Sequence, residues 1–470
     1  MARKIMVGMS GGVDSSVAAY LLKKQGYEVT GVTFKLWDDP TLESGCCSAD
    51  DVRDAAYVCQ QLGIPHYVLN YKDLFRQEVV GPFAEEYLRG RTPNPCISCN
   101  RYIKFGAFSH KLRELGFDLM ATGHYARCGY NEATGRWELQ RAVHPQKDQS
   151  YVLYNLTQEQ LAMLRLPLGE YSKPEIRAIA EESGLVVAKK PDSQDICFVP
   201  DGDYNAFLRR WTGKELPAGQ FVAEDGTVLG PNKGITHYTI GQRKGLGISL
   251  GCHAFVRRIN AAENTVELTT EESRLFRRTI FADDLNWIAI EDLHGPLEVE
   301  AKIRYAHRAA AAVISPGPIP GTVRVDFMEA QRAPAPGQAV VFYRDGSVIG
   351  GGTKVNEVNA NGQHVGDITN SGSWSDEVVP YVWLEAGENT VSVTASYGWI
   401  AVDSFSIRRA APLPADVYEV KPTLINPNAT DSAKRLMTYL CDQYGKTVLS
   451  GQQSQDGAFG LTNAAVWRGT

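Results

Sequence analysis

Cys96 and Cys99 stand three positions apart in RTPNPCISCN, residues 91–100, with two prolines just before them. Sulfurs at i and i+3 can share a metal, close a small ring, or leave one thiol poised beside the other. The spacing alone therefore admits a ligand pair, a disulfide and a nucleophile. A third partner is needed to choose among them. The other reactive stretch is SGGVDSS, Ser10 to Ser16, between an apolar segment and an amphipathic one. Its glycines let the backbone approach an anion, and the hydroxyls of Ser10, Ser15 and Ser16 add donors at a helix N-terminus. The lysine of a Walker loop is missing, which favours a pyrophosphate-binding loop in which Asp14 positions Mg²⁺ or the nucleotide.

A strand-loop-helix frame is required to hold such a loop, and the first 125 residues supply one. KIMVGMS, YEVTGVTFKLW, IPHYVLNY and FDLMATGHY read as apolar strands, and DSSVAAYLLKKQG and DDVRDAAYVCQQLG as amphipathic helices between them. This βαβ rhythm predicts a parallel sheet covered on both faces, with ligands at the carboxyl edge of its strands. Gly26 and Gly63 are placed as helix C-terminal caps. After about Asp201 the texture changes to short alternating segments such as NTVELTT, GTVRVDF and AVVFYRDGSVIGGG, which read as small β domains. Near Lys354 charge thins and Asn, Ser and Gly rise, marking a further boundary, and APLPA at 411–415 reads as a linker.

At 470 residues the chain predicts two to four domains. Its 43% hydrophobic and 22% charged residues are those of a globular protein, and no apolar run approaches a membrane span. The start, MARKIMVGMSGG, reaches glycine before any signal-peptide core forms, so cytoplasmic residence is expected. Nine cysteines without a regular framework suggest reduced thiols rather than structural disulfides. After Lys354 there are seven Lys and Arg against twelve Asp and Glu, which accounts for −5 of the net −6. The rest is nearly neutral, so a nucleic acid would have to be held by local basic patches.

GMSGGVDSS, GCCSADDVRDA, RTPNPCISCNRYIKFG, ATGHYAR, KDQSYVLY, DSQDICFV and HYTIGQRKGLGI occur in this order, and together they resemble the bacterial tRNA-specific 2-thiouridylase family over residues 1 to about 354. The resemblance implies an α/β PP-loop ATP-pyrophosphatase domain over 1–200, a central tRNA-contacting domain over 201–276 and a C-terminal β-barrel over 277–354. It implies ATP-dependent thiolation at C2 of the wobble uridine, with Mg²⁺ beside the ATP. Chemically, adenylation turns the uridine oxygen into a leaving group, and a persulfide then delivers sulfur while its cysteine stays on the chain. By this resemblance Cys197 carries the persulfide, and Cys99 attacks it, closing a transient disulfide as the sulfur is released. Many relatives carry aspartate at the Cys96 position, so the role of Cys96 stays open. Three thiols, Cys96, Cys99 and Cys197, would also suffice for a 4Fe–4S cluster with one iron free to bind sulfide, a competing route to the same product.

The family pattern further assigns ATP to Gly8, Met9, Ser10, Gly11, Gly12, Val13, Asp14 and Ser15, with Phe34 on the adenine side and Gly123 against the nucleotide. Phe34 taken alone reads as a core residue. For tRNA the pattern points to Lys147, Asp148 and Gln149 near the anticodon and to Arg304 and Tyr305 in the barrel, where an arginine beside an aromatic suits phosphate pairing and base stacking. Gly241 to Gly247, GQRKGLG, is a basic loop suited to RNA backbone. A cysteine desulfurase or sulfur-relay protein is the implied second partner. Cys46 and Cys47 read as local packing, and Cys59, Cys128, Cys252 and Cys441 as structural.

Beyond Lys354 the residues at 355–410 resemble part of a carbohydrate-binding sandwich, and those at 411–470 the entry to a β-mannanase-type glycoside hydrolase barrel. Such a barrel takes roughly 250 residues, so its pair of carboxylates would fall beyond Thr470. The expectation is a fused or truncated fragment with little order, and polysaccharide binding or hydrolysis is the rival function. A second rival keeps the fold but adenylates a small carboxylate or amide acceptor, a reaction that has no use for a sulfur-carrying cysteine pair.

Overall fold

The computed structural model describes residues 2–37, 49–191, 196–317 and 321–354, together with short strands between Gly387 and Arg468. It divides into two units, residues 1–259 with 266–355, and residues 260–265 with 356–470.

The first unit is built on five parallel strands: β1 (Lys4–Gly8), β2 (Glu28–Lys35), β3 (His66–Asn70), β4 (Leu119–Ala121) and β7 (Leu164–Arg165), in the order β3-β2-β1-β4-β7. Alternation on β1 sends Met6 into one apolar cluster and Ile5 and Val7 into another, so both faces are covered, as the unbroken apolar runs predict. Helices α1 (Val13–Lys24) and α2 (Ala49–Leu62) end at the anticipated glycines. Gly26 and Gly63 take φ of 89° and 61°. In each case the following N–H reaches back across the turn, Tyr27 to Leu22 O at 3.2 Å and Ile64 to Cys59 O at 3.0 Å.

Two longer helical runs, 72–88 and 95–114, each contain a wider π turn, Arg76–Val80 in the first and Cys99–Ala107 in the second. Nothing in the hydrophobic spacing announces them, because a single wide turn shifts the side-chain phase by only one position. The hairpin β5 (Arg127–Asn131) and β6 (Arg136–Gln140) leaves the first domain and extends a second sheet through Ser347 opposite Gln140.

That second sheet is a barrel of β12 (Phe276–Trp287), β13 (Leu297–Lys302), β14 (Ala310–Pro316), β15 (Val323–Arg332), β16 (Ala339–Arg344) and β17 (Ser347–Lys354). The order β12-β15-β14-β13-β16-β17 closes through β12 against β17. Between them in sequence comes a four-stranded sheet of β8 (Gly219–Val222), β9 (Val228–Asn232), β10 (Phe255–Asn260) and β11 (Thr265–Thr269), in the order β10-β11-β8-β9.

The second unit contains the strands Gly387–Thr394 and Ser404–Ile407. Each pairs in parallel with a later segment, Val417–Ile425 and Met437–Cys441 respectively, where a sandwich hairpin would be antiparallel. The remaining expectations for 355–470, including little order and a partial hydrolase barrel, lie outside the described residues, as do Cys46 and Cys47. Among the described residues no helix is long and apolar enough to cross a membrane.

Candidate active site

Neighbouring strands β1 and β4 connect onward in opposite directions across the sheet, β1 toward β2 and β4 toward β7, so a crevice opens at their carboxyl ends. The serine-glycine loop fills one side of it. Ser16 Oγ donates to Gly12 O at 2.8 Å, Ser15 Oγ donates to the same carbonyl at 3.2 Å, and Ser10 N–H donates to Ser15 Oγ at 3.2 Å. These bonds knit the loop into one shape. Gly12 caps α1 with no side-chain hydrogen bond, so the first N–H groups of the helix stay oriented toward an incoming anion.

Gly11 has φ of 71°, and a Cβ there would strike the Asp51 carbonyl. Gly123, two residues past β4, lies so close to the first turn of α1 that a Cβ would sit 2.7 Å from Ser15 N and 2.8 Å from the Asp14 carbonyl carbon. The sequence expectation placed Gly123 against the nucleotide; its backbone also packs directly on the loop. Phe34 is buried at 7% exposure, edge-on to Phe108 at 4.9 Å, and a Cβ on Gly8 would lie 3.5 Å from its ring. It forms the apolar floor beside the start of the loop.

Three residues of this site were not anticipated. Asp14 Oδ1 accepts from Tyr125 OH and from Lys173 Nζ, each at 2.6 Å. Lys173 opens α3 (Lys173–Glu182), which Ser172 and Glu175 start with a reciprocal capping box. The SKPE signature reveals that helix start but not what its first residue touches. A second cation, Lys190, donates to Asp51 at 2.8 Å and Asp54 at 2.6 Å, which holds it above its usual pKa against the opposing effect of burial. The positive charge missing from the loop is thus carried by side chains far along the chain.

Asn94 caps the helical run 95–114, its side chain accepting from Cys96 N at 3.1 Å, with Pro95 as the first helical residue. Cys96 is exposed, whereas Cys99, one turn later at the start of the π turn, is buried at 7% exposure. Cys197 is half-buried and packs against the same apolar cluster that contains Cys99, along with Phe34 and Phe198. Phe198 meets Phe83 at 5.2 Å, and Phe83 lines a cavity with Ile97 and Ser98, so the two cysteine segments share one neighbourhood. Residues 192–195, just before Cys197, lie outside the described residues.

Among the described residues no three His, Cys, Asp or Glu side chains converge as a metal site. Of the three thiols in the iron–sulfur expectation, Cys96 is exposed while Cys99 sits in the apolar cluster. Burial pushes the Cys59 thiol up to about 11 and the Cys128 thiol up to about 12, which suits inert packing residues.

Residues 3–201 match the family described as tRNA methyl transferase HUP domain, 205–269 the tRNA methyl transferase PRC-barrel domain, and 277–353 the aminomethyltransferase beta-barrel domain. The tRNA-specific 2-thiouridylase MnmA of Acetivibrio thermocellus is 52% identical over 355 residues, 74% of this chain and 98% of that relative. Those of Clostridioides difficile and Heliobacterium modesticaldum are 51% and 52% identical, over 98% and 94% of their lengths. The chain belongs to the tRNA-specific 2-thiouridylase family.

The residues assigned to tRNA in this 2-thiouridylase fall into two groups. Asp148 is buried and accepts from Ala142 N at 3.1 Å, Ser150 N at 3.2 Å and Ser150 Oγ at 2.9 Å. Gln149 Oε1 accepts from Tyr125 N at 2.9 Å. Both shape the 142–150 turn from within and leave Lys147 as its half-buried cation. Arg304 donates to Ile240 O at 3.2 Å and Ala333 O at 2.6 Å, with burial lowering its pKa. Its guanidinium ties the barrel to the loop just before Gly241. Tyr305 is 43% exposed, its ring edge-on to Tyr151 at 6.1 Å. Arg243 and Lys244 are exposed at the tip of the 241–247 loop.

Proposed function

We propose that the chain is an ATP-dependent tRNA uridine 2-sulfurtransferase acting on the wobble uridine of the anticodon loop. The observation that carries this reading is the pairing of half-identity along nearly the whole of named 2-thiouridylases with a self-bonded serine-glycine loop at the sheet's switch point. A methyl transfer, which the matched domain descriptions mention, would leave that loop and the cysteine pair without a task.

The backbone of Gly11 to Ser15 receives the phosphates, and Lys173 supplies the cation, shared between Asp14 and the bound triphosphate. Asp14 is also the residue that would hold Mg²⁺: among the described residues both its donors meet Oδ1, which leaves Oδ2 available to an ion. Such an ion would neutralise charge on the phosphates. Uridine O2 attacks the α-phosphorus and pyrophosphate leaves. The terminal sulfur of a Cys197 persulfide then bonds to C2 as the C2–O bond breaks and AMP departs. Cys99, as thiolate, bonds to Cys197 Sγ; the inter-sulfur bond breaks, the delivered sulfur stays on C2, and an external thiol reductant later opens the Cys99–Cys197 disulfide. Cys96, exposed on the same helix start, faces the RNA side. The ligand set offers no support for the iron–sulfur route.

Sulfur reaches Cys197 from a cysteine desulfurase or a relay protein, and cytoplasmic residence belongs to the same reading. The test is thiolation of unmodified tRNA by the full chain with ATP, Mg²⁺, cysteine and a desulfurase. Formation of 2-thiouridine with one AMP per sulfur is expected. Thiolation that proceeds without ATP, or ATP cleavage that never yields 2-thiouridine, would overturn the reading.

A further inference from the structure

The turn that leaves β13 is fixed from inside. Lys354, buried at the end of β17, donates from Nζ to Ile303 O at 2.6 Å and to Ala339 O at 2.9 Å. Arg304 holds Ile240 O and Ala333 O on the other side. Tyr151, itself fully buried, donates to the same Ala339 carbonyl at 2.9 Å. Within residues 302–305, Ile303 and Arg304 are locked inward, which leaves Lys302 half-buried and Tyr305 exposed.

Lys302 Nζ lies 5.4 Å from the centre of the Tyr305 ring and 5.7 Å from that of Tyr151, and the two rings meet edge-on at 6.1 Å. Among the described residues it has no hydrogen bond and no ion pair. The nearby Asp148 oxygens already accept from Ala142 and Ser150, and Arg141 is paired with Glu300 at 2.8 Å. A half-buried ammonium steered by two ring faces, with Asp148 acting on it only at a distance and no ion pair among the described residues, is poised to accept an anion. Burial lowers its pKa, with Asp148 opposing and Arg141 adding to that effect, so an incoming negative charge would be favoured there. Burial first, then Asp148 and Cys96, push the Tyr305 phenol up.

We infer that Lys302 is the backbone-binding cation of the RNA site: its ammonium takes a phosphate of the unpaired anticodon loop while the adjoining base lies on the exposed face of Tyr305. The role rests on the sulfurtransferase reading and moves the phosphate contact from Arg304, whose guanidinium is tied to protein carbonyls, to the residue two positions earlier. Phosphate contact and ring stacking from neighbouring residues are the means by which single-stranded loops are held.

The test compares the full-length wild type with Lys302→Met, Lys302→Gln and Lys302→Arg, measuring binding of an unmodified anticodon stem–loop across a salt series, ATP binding and thermal unfolding. Methionine keeps the apolar stem over the rings and glutamine keeps a polar end, so loss common to both reads the charge. Binding should weaken roughly tenfold at low salt in both, with the slope of log affinity against log salt reduced by about one and ATP affinity unchanged. Their deficit should shrink about threefold between 50 and 200 mM salt, and Lys302→Arg should keep the wild-type slope. Equal affinity and slope in wild type and a folded Lys302→Met or Lys302→Gln variant would overturn the inference while leaving the sulfurtransferase reading intact. A wild-type chain that neither binds nor thiolates tRNA would overturn both.

Discussion

Lys173→Met removes the cation held against the phosphate loop with little change in side-chain length. Nζ is 2.6 Å from Asp14 Oδ1, and the two side chains are 12% and 33% exposed, between a surface pair and a buried one. Exposed pairs contribute about 0–1 kcal/mol, while breaking a buried pair costs about 3–5 kcal/mol. A loss of about 1–3 kcal/mol in stability follows, limited because Tyr125 OH still donates to the same oxygen at 2.6 Å. The catalytic effect is separate. A unit charge about 4 Å from a phosphate contributes at most about 4 kcal/mol at an effective dielectric constant of 20, and Asp14 and solvent reduce it, so kcat/KM for ATP should fall about 10- to 100-fold. Pyrophosphate release at varied ATP and saturating tRNA measures this, with urea unfolding run beside it. Lys173→Arg should recover part of the loss. If Lys173→Met unfolds at lower urea but keeps wild-type kcat/KM for ATP, Lys173 is a structural tie between α1 and α3 and the loop obtains its charge elsewhere.

Cys99→Ser and Cys197→Ser should each abolish 2-thiouridine formation while retaining tRNA-dependent ATP cleavage, and a persulfide trapped by alkylation should map to Cys197; mass spectrometry checks both. Cys96→Ala should keep at least about a tenth of wild-type turnover, since its thiol makes no bond in the sulfur relay. Gly123→Ala should bind ATP poorly by calorimetry and lose about 1–3 kcal/mol in urea unfolding, because the atoms a Cβ would meet are backbone of Asp14 and Ser15 and have no rotamer to yield. His124 is held near pKa 3, first by burial and then by Lys104. The unfolded chain therefore binds a proton below about pH 6.5 that the folded chain refuses; the stability it contributes is complete above that pH and lost as pH falls. Between pH 6.5 and 4.5 the loss is about 2–3 kcal/mol, and His124→Gln should flatten that part of the stability profile.

The sheet, its carboxyl-edge loop and the two glycine caps were legible in the sequence because each is written locally: apolar runs of strand length, one helical period, a glycine at a fixed offset. The loop's chemistry was legible in part. Its serines and glycines could be read, but Lys173 reaches Asp14 across 159 positions of chain and Tyr125 across 111, contacts that no period or spacing encodes. Arg304 shows the converse. Beside an aromatic it has the composition of an RNA contact, and only the closing of the barrel against the 240 loop turns its guanidinium to Ile240 O and Ala333 O. The iron–sulfur expectation rests on a similar reading. Counting thiols says nothing of where they point, and an i, i+3 pair at a helix start places Cys96 in solvent and Cys99 in the apolar cluster.

These differences have a common physical basis. A loop made of glycine, serine and one aspartate can shape itself by neutral hydrogen bonds, as the Gly12 carbonyl and the serine hydroxyls do here, but it cannot balance the charge of a triphosphate. A neutral-looking barrel edge likewise offers rings for stacking without charge for a phosphate. In both places the fold adds a lysine and fixes it through a partner that is not the ligand: a carboxylate 159 positions away for Lys173, two aromatic rings for Lys302. The partner sets what the cation can do. A carboxylate keeps Lys173 charged and close to the loop before ATP arrives, so its charge is never isolated at a site only 12% exposed. Ring faces attract an ammonium without neutralising it, which leaves Lys302 the stronger attractor for a phosphate that comes and goes with each tRNA.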